Sequence, residues 1–196
     1  LFQTRQYVER ADATPRVTAV LQKMGFSLVP SFGLRGSYWG SSKNEGIVQG
    51  GNVTRLARDL SVDLIAPSLA RVFQKSPQWM GGEKWKHVIE PRATYRYVSG
   101  VGDFARTIRF DEIELLTNTN EVEVSVTNRL FTKRRGVSTE MLSWQVWQRR
   151  FFDPGFGNTL IPGTRYVNQS SVDFSSFAFL DQRRNASPIA SAMRFM

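Results

Sequence analysis

Few residue types in this 196-residue chain could carry out catalysis. Cysteine is absent and His87 is the single histidine, which excludes thiol nucleophiles, disulfides and metal sites built on two imidazoles. No pairing of a nucleophile with a base can be read from the residues around His87. The acidic run Asp111, Glu112 and Glu114 is more typical of a solvated loop than of a calcium site, which takes roughly six to eight oxygen ligands. We therefore expect no catalytic residue, no metal and no cofactor.

A glycine-rich segment at residues 100–105 matches the pattern G-x-G-x-x-A of dinucleotide-binding loops. Such a loop requires a buried parallel strand before it and a helix after it. The preceding segment instead carries Glu90, Arg92 and Arg96, which a buried parallel strand would not. Asp103 would also bring negative charge to the pyrophosphate. We predict a hairpin turn at this position.

Alternation with a period of two dominates the chain. Between residues 88 and 98, apolar and aromatic side chains occupy the odd positions, and charged or hydroxyl side chains occupy the interior even positions. Between residues 121 and 130, valine and leucine occupy the even positions, interrupted only by Asn128. Since successive side chains of a strand point to opposite faces, each segment predicts a strand with one apolar and one polar face. Further strands are predicted at residues 16–22, 28–38, 60–66, 141–150, 170–180 and 188–195.

Runs rich in glycine and polar residues separate these segments and predict turns. Together the segments give roughly eight to ten strands, with no convincing helix and no linker. We therefore treat residues 1–196 as one all-β domain. The predicted turns lie at residues 40–46, 50–52, 81–83, 100–103, 133–136 and 153–155.

The chain is basic, with 26 Lys and Arg against 17 Asp and Glu and a formal net charge of +9. This balance is typical of nucleic-acid binders, which concentrate cations on one face, and of proteins that face anionic lipid. The charges are spread along the whole chain, so their distribution alone does not separate the two classes. A transmembrane helix needs about 20 largely apolar residues. No stretch of that length in this chain is free of charged residues, which excludes such a helix.

Two all-β architectures fit the alternation. A soluble sandwich buries its apolar face in a core, whereas a transmembrane barrel turns its apolar face to lipid and its polar face to a wet lumen. The regular strands approach the roughly 9–11 residues that a spanning strand needs. Several aromatic residues lie near strand ends, where an interfacial aromatic girdle would place them: Tyr38, Trp39, Trp79, Trp85 and Tyr97. These features favour an antiparallel transmembrane β-barrel, with the soluble domain as the alternative.

Residues 85–131 resemble the barrel of LptD, the outer-membrane protein family of lipopolysaccharide assembly also called organic solvent tolerance protein. The closest matches are H-x-I-E-P-R followed by Y-x-Y, then R-F-D-E, then T-N-R-L. Weaker similarity occurs at residues 29–35, 151–157 and 187–191. The motif positions in this chain include Pro91, Arg109, Phe110, Asp111, Glu112 and Asn128.

The resemblance implies a barrel far larger than 196 residues can build, so we expect this chain to be a fragment of the barrel wall. It further implies location in the bacterial outer membrane and transport of lipopolysaccharide to the outer leaflet, with no enzymatic step. The implied partners are lipopolysaccharide, membrane lipid, an LptE-like plug lipoprotein and periplasmic Lpt bridge proteins, and not nucleic acid. Known members use cysteine pairs in maturation, and this chain departs from that pattern.

The polar strand faces supply the candidate site. Because arginine offers paired donors to phosphate, we predict a lumenal surface that contacts glycolipid. The simpler alternative is a charge ladder that solvates the lumen or pairs between strands. The predicted residues are Glu90, Arg92, Arg96, Glu121, Glu123 and Arg129.

Two other features have structural interpretations. Pro91 lies inside a strand and lacks a backbone donor, which predicts a local bulge. The cations at residues 133–135 predict a basic turn, with contact to anionic headgroups as the alternative. For the whole chain, the alternatives to lipopolysaccharide transport are a generic porin or receptor barrel and a soluble basic β-domain that binds nucleic acid.

Overall fold

The computed structural model describes residues 8–44, 47–75, 84–102, 106–108, 118–152 and 185–196. These residues form ten strands in one antiparallel sheet, and no helix occurs among them. The strands are β1 (Arg10–Ala13), β2 (Arg16–Thr18), β3 (Leu21–Lys23), β4 (Phe26–Asn44), β5 (Ile47–Ile65), β6 (Leu69–Phe73), β7 (Lys84–Ser99), β8 (Thr119–Arg134), β9 (Val137–Phe151) and β10 (Ala190–Phe195).

The sheet is a meander in which strands that follow one another along the chain lie side by side. β1, β2 and β3 all pair with β4 and act as one interrupted strand, and β5 and β6 both pair with β7. The order is then β4, β5, β7, β8, β9 and β10. Within the described part of the chain the two outermost strands, β1 and β10, do not pair, so the sheet does not close.

The long strands confirm the all-β prediction and exceed its bounds. β4 and β5 have 19 residues, β7 and β8 have 16, and β9 has 15, whereas strands of globular proteins average about five or six. The strands predicted at residues 28–38, 88–98 and 121–130 lie inside β4, β7 and β8. The strand predicted at residues 170–180 lies outside the described residues.

The turn predicted at residues 40–46 is too long, and the turn predicted at residues 50–52 is wrong because these residues lie inside β5. β4 continues to Asn44 and β5 begins at Ile47, and the two glycine-rich runs pair with each other, Ser41 opposite Gly50. Glycine disfavours a strand, but continuous pairing with a neighbour overrides such a weak preference. A register shift after Trp39 marks the one irregularity of the β4–β5 ladder.

Two prolines determine where the neighbouring strands are interrupted. The Pro91 carbonyl accepts a hydrogen bond from the Ala66 amide at 3.2 Å, and residues 66–68 lie outside both β5 and β6. In the same way the Pro30 carbonyl accepts from the Ala19 amide at 3.0 Å, between β2 and β3. Amide and carbonyl of one strand residue point to the same neighbour, so each proline's missing donor faces the interrupted side. The irregular pairing agrees with the bulge that Pro91 predicts.

The two ends of the sheet differ in how strands are joined. Two-residue turns at residues 24–25 and 135–136 lie at one end, with positive φ angles between 48° and 84°, as type I′ hairpins require. At that same end residues 74–83 join β6 to β7. The other end holds residues 45–46 between β4 and β5, residues 100–118 between β7 and β8, and residues 152–189 between β9 and β10. We call these the tight-turn end and the long-loop end. The hairpin turn predicted at residues 100–103 is therefore only the start of a longer connection.

No helix among the described residues is long and apolar enough to cross a membrane.

Candidate functional site: the polar face

Register brings all six predicted site residues to one face of the sheet. Directly opposed residues of antiparallel strands share a face, and Arg96 of β7 lies opposite Glu121 of β8. Side chains two positions apart point to the same side, so the remaining even positions of β7 and odd positions of β8 follow. We call this surface the polar face. It carries Glu90, Arg92, Arg96, Glu121, Glu123 and Arg129.

The opposite surface, which we call the apolar face, exposes large hydrophobic side chains along the sheet. Phe32 is 47% exposed, Val124 53% and Met193 52%. Contiguous exposed apolar surface of this kind marks contact with lipid or with another protein. Further exposed members of the apolar face are Leu28, Leu56, Leu60, Leu64, Leu69, Tyr97 and Trp144.

Ion pairs cross between strands on the polar face. Arg92 Nη2 lies 2.9 Å from Asp63 Oδ2 of β5, and Thr94 Oγ1 donates to the same carboxylate at 2.5 Å. Arg16 of β2 reaches past β4 to pair with Asp59 of β5. The residue of β4 between this pair is Gly33, in register with both, and its missing side chain leaves room for the guanidinium.

A second chain of charges spans four strands. Arg129 of β8 pairs with Glu90 of β7 at 3.1 Å and with Glu140 of β9 at 3.4 Å. Glu140 lies 3.9 Å from Arg194 of β10. Opposite charges therefore alternate across β7 to β10, and the predicted alternative of pairing between strands holds for Glu90 and Arg129.

The most buried charges lie between β8 and β9. Arg149 pairs with Glu121 at 3.3 Å and with Glu123 at 2.7 Å. The side chains of Arg149 and Glu121 are 6% and 4% exposed. A buried carboxylate is costly unless it is paired, so Arg149 stabilises both carboxylates of this strand.

Arg96 differs from the other five predicted residues. It is exposed and forms no ion pair with any residue that the structure describes, although Glu121 lies directly opposite. Arg92 is paired but its side chain is 52% exposed. The guanidinium of Arg96 therefore has the most donors available to a ligand, and the guanidinium of Arg92 has the next most.

The motif residues within the described ranges lie on the apolar face. Nε2 of His87 donates to Oδ1 of Asn128 at 3.2 Å, which links the H-x-I-E-P-R strand to the T-N-R-L strand. This bond explains how a polar Asn128 is tolerated where the alternation predicts an apolar residue. Pro91 lies opposite Val126 on the same face. Arg109, Phe110, Asp111 and Glu112 lie outside the described residues.

The polar face is covered at the long-loop end. Gly100 has a φ of +83°, and a Cβ there would lie 2.4 Å from the carbonyl oxygen of Leu56. The glycine thus lets the β7–β8 connection turn back, and Val101 is buried in a small core with Ala57 and Val98 of the polar face. The Val101 amide donates to Asn118 Oδ1 at 2.9 Å and fixes the start of this connection.

Beside this core, Trp39 and Arg55 are also buried. The Arg55 guanidinium lies 4.9 Å from the centre of the Trp39 ring, a cation–π contact between β4 and β5. Among the described residues, no group of three or more His, Cys, Asp or Glu is placed to hold a metal ion.

Four charged residues of the polar face were not predicted from the sequence: Asp59, Asp63, Glu140 and Arg149. Each alternates correctly along its own strand, but its partner is set by register between strands, which the turns and bulges control. An alternating strand with charges on its polar side is the available signal. This signal shows on which face of the sheet a charged side chain lies, but it does not show which residue of the neighbouring strand forms the ion pair.

Comparison with known proteins identifies the family. A family model described as LptD, LPS transport system D, matches residues 2–193. A search of curated proteins gives no match. Because the family match covers nearly the whole chain, the chain belongs to the LptD family, an outer-membrane protein family that transports and assembles lipopolysaccharide.

Proposed function

We propose that this chain forms part of the barrel wall through which lipopolysaccharide reaches the outer leaflet, with the polar face toward the lumen and the apolar face toward lipid. The observation that carries the proposal is the separation of chemistry between the two faces. Every ion pair between the long strands β5, β7, β8 and β9 that the structure describes lies on one face, and the other exposes side chains such as Phe32 and Val124.

Physical chemistry favours this orientation. In lipid every backbone polar group must be paired. The antiparallel ladder pairs the groups between neighbouring strands, and closure of the barrel beyond β1 and β10 would pair the groups at its two outer edges. A charged side chain facing the middle of the bilayer costs about 2–4 kcal/mol, whereas lumenal charges remain in water. The reverse orientation would place several ion pairs in lipid and a row of leucines, valines and tyrosines in water.

The proposed ligand contacts are the exposed arginines of the polar face. Lipopolysaccharide carries anionic phosphates and sugars, which guanidinium groups bind with paired hydrogen bonds. Arg96 has free donors and Arg92 is half exposed. We assign glycolipid contact to these two, and assign Glu90, Glu121, Glu123 and Arg129 to the ion pairs that hold the polar face together.

Loop length supports an orientation across the membrane. Outer-membrane barrels have short periplasmic turns and longer extracellular loops. The tight-turn end would then face the periplasm. The long-loop end, where residues 100–118 join β7 to β8 and residues 45–46 join the 19-residue strands β4 and β5, would face outward. Family membership suggests an LptE-like plug lipoprotein in the lumen and Lpt bridge proteins at the periplasmic side.

The alternatives predict different properties. A nucleic-acid binder would concentrate unopposed cations on one face, whereas charges of opposite sign alternate across the polar face. A generic porin shares the two-faced sheet. A depletion strain separates the two, because loss of an LptD protein removes lipopolysaccharide from the cell surface and loss of a porin does not.

The test is charge reversal at Arg96 in the full natural protein, assayed in a depletion strain. We expect Arg96→Glu to lower surface lipopolysaccharide severalfold while the barrel keeps its heat-modifiable gel mobility. The matched control, Arg96→Lys, keeps the charge and should retain most of the transport. Normal surface lipopolysaccharide from a correctly inserted Arg96→Glu barrel would contradict the assignment of Arg96.

A further inference from the structure

The short strand β6 is paired on one side only. Among the strands that the structure describes, it pairs with β7 and with no other. On its other side the turn between β3 and β4 reaches only as far as Pro67, since a Cβ on Gly25 would lie 3.3 Å from Pro67 Cγ. All five residues of β6 therefore extend beyond that turn and leave one edge of the strand open.

The open edge of β6 carries backbone groups without partners. The Pro91 carbonyl of β7 points to the side of β6, where it accepts a bond from the chain just before that strand. Because this direction alternates along a strand, His87 also points to β6, and its partner there is Arg71. Ala70 and Val72 therefore turn their amides and carbonyls to the open side, and no described residue bonds to them there.

These free backbone groups determine where β6 can lie. Unpaired amides and carbonyls are strongly disfavoured in the hydrocarbon of a bilayer. In the proposed orientation β6 therefore projects from the membrane into the periplasm at the tight-turn end. The side chains of Leu69 and Val72 are 64% and 54% exposed. An exposed strand edge of this kind is a template for pairing with another chain.

The open edge is also rigid and positively charged. The rings of Phe73 and Trp85 stack with centroids 3.9 Å apart and hold β6 against β7. Arg71, at the centre of β6, is exposed and forms no ion pair with any residue that the structure describes. Residues 69–75 and 84–87, all described, contain no Asp or Glu. A partner that binds this edge is therefore favoured if it is acidic.

We propose that the open edge of β6 binds an acidic, extended segment of a periplasmic partner protein, which adds a strand to the sheet. Such an added strand bonds to the main chain of Ala70 and Val72 and places a side chain beside Arg71. A carboxylate at that position forms an ion pair across the strands. A second copy of this chain is disfavoured, because β6 paired with itself about its centre brings Arg71 opposite Arg71. The periplasmic location of the partner rests on the proposed function.

The test uses the full natural protein in detergent and a fluorescent peptide of alternating valine and glutamate as the probe. A peptide of alternating valine and lysine is the matched control. We expect the acidic probe to bind at least about threefold more tightly than the basic one, and to slow hydrogen exchange of residues 69–75. Equal affinity for the two probes would overturn the proposal, and so would unchanged exchange in this segment.

A proline variant tests the backbone pairing directly. Val72→Pro removes the amide donor on the open side and leaves the bonds between β6 and β7 in place. We expect it to weaken binding of the acidic probe about fivefold, while the barrel keeps its heat-modifiable gel mobility. The matched control, Val72→Thr, keeps the donor and should bind as the unmodified protein does. Unchanged binding by a folded Val72→Pro barrel would overturn the proposal.

A charge variant tests the proposal without any change to the backbone. Arg71→Glu keeps every amide donor and reverses the charge at the centre of the edge. We expect this variant to prefer the basic probe over the acidic one. A retained preference for the acidic probe would contradict the role of Arg71 and overturn the acidic nature of the partner.

The outcomes also separate this proposal from the proposed function. Binding of the acidic probe by a protein that delivers no lipopolysaccharide would support the edge site and contradict the transport role. Absence of binding in a protein that delivers lipopolysaccharide would overturn the edge site alone. A dimer of the unmodified protein that Val72→Pro dissociates would assign the edge to a second copy and overturn the proposal.

Discussion

The two faces of the sheet are built by the same strands yet differ in how their side chains are stabilised. On the polar face, charges are paired between neighbouring strands, from the exposed Arg16–Asp59 pair to the buried Arg149–Glu121 pair. On the apolar face, Val124 and Phe32 project without covering side chains. Adjacent residues of one strand thus require different surroundings, which a membrane on one side and water on the other supply.

The largest effect is expected where a charge is moved to the wrong face. Val124→Arg places a guanidinium on the apolar face near the middle of β8, and we expect it to lower the free energy of unfolding from lipid by up to about 4 kcal/mol. The matched control is Thr127→Arg, three residues along on the polar face and opposite Glu90. Denaturant unfolding from vesicles measures both. Equal losses for the two variants would show that the faces do not differ.

The next effect concerns the buried charges of the polar face. Arg149→Met leaves the carboxylate of Glu121, 4% exposed, without its guanidinium, and we expect a loss of about 3 kcal/mol. Adding Glu121→Gln to this variant should recover part of the loss, because a neutral amide is cheaper to bury. Unfolding measurements on the single and double variants give the coupling, and additive losses would contradict the pairing.

A smaller effect tests the covered end of the polar face. Gly100→Ala forces a side chain into positive φ and against the carbonyl of Leu56, at a cost of about 2 kcal/mol. Gly136→Ala is the control, since its φ of +84° is similar but a Cβ there meets nothing within 4 Å. We expect Gly136→Ala to cost about half as much, measured by unfolding. Similar losses of unfolding free energy for the two variants would show that the close approach of β5 to the β7–β8 connection does not add to the cost of Gly100→Ala.

The smallest effect is expected at an exposed ion pair. Arg16→Met removes the ion pair with Asp59. The side chains of Arg16 and Asp59 are 45% and 27% exposed, so the variant should lose between about 0 and 1 kcal/mol of unfolding free energy. Comparison with Arg149→Met then measures how much burial strengthens a pair on one face. A loss of unfolding free energy at Arg16 as large as that at Arg149 would show that the Arg16–Asp59 pair is shielded from water much more than its exposed fractions indicate.

The sequence predicted correctly those features that depend on the residue pattern of a single strand. The odd and even positions of β7 and β8 follow the alternation, so the faces of Glu90 and Arg129 could be assigned without a structure. The partner of Arg92 could not be assigned, because Asp63 lies opposite Thr94 and diagonal to Arg92 only through the register between β5 and β7. Strand ends were also missed at Ser41 and Gly50, where pairing overrides the low strand preference of the residues.

The most direct test of the central claim is an accessibility scan along β8. The chain contains no cysteine, so single cysteines at successive positions from 121 to 130 can be spin-labelled in the native background. Collisions with dissolved oxygen report lipid, and collisions with a water-soluble nickel chelate report the aqueous phase. We predict oxygen maxima at even positions such as Val124 and nickel maxima at odd positions such as Thr127. Equal access of the nickel chelate to both sets would contradict a sheet with one face in lipid and the other in a wet lumen.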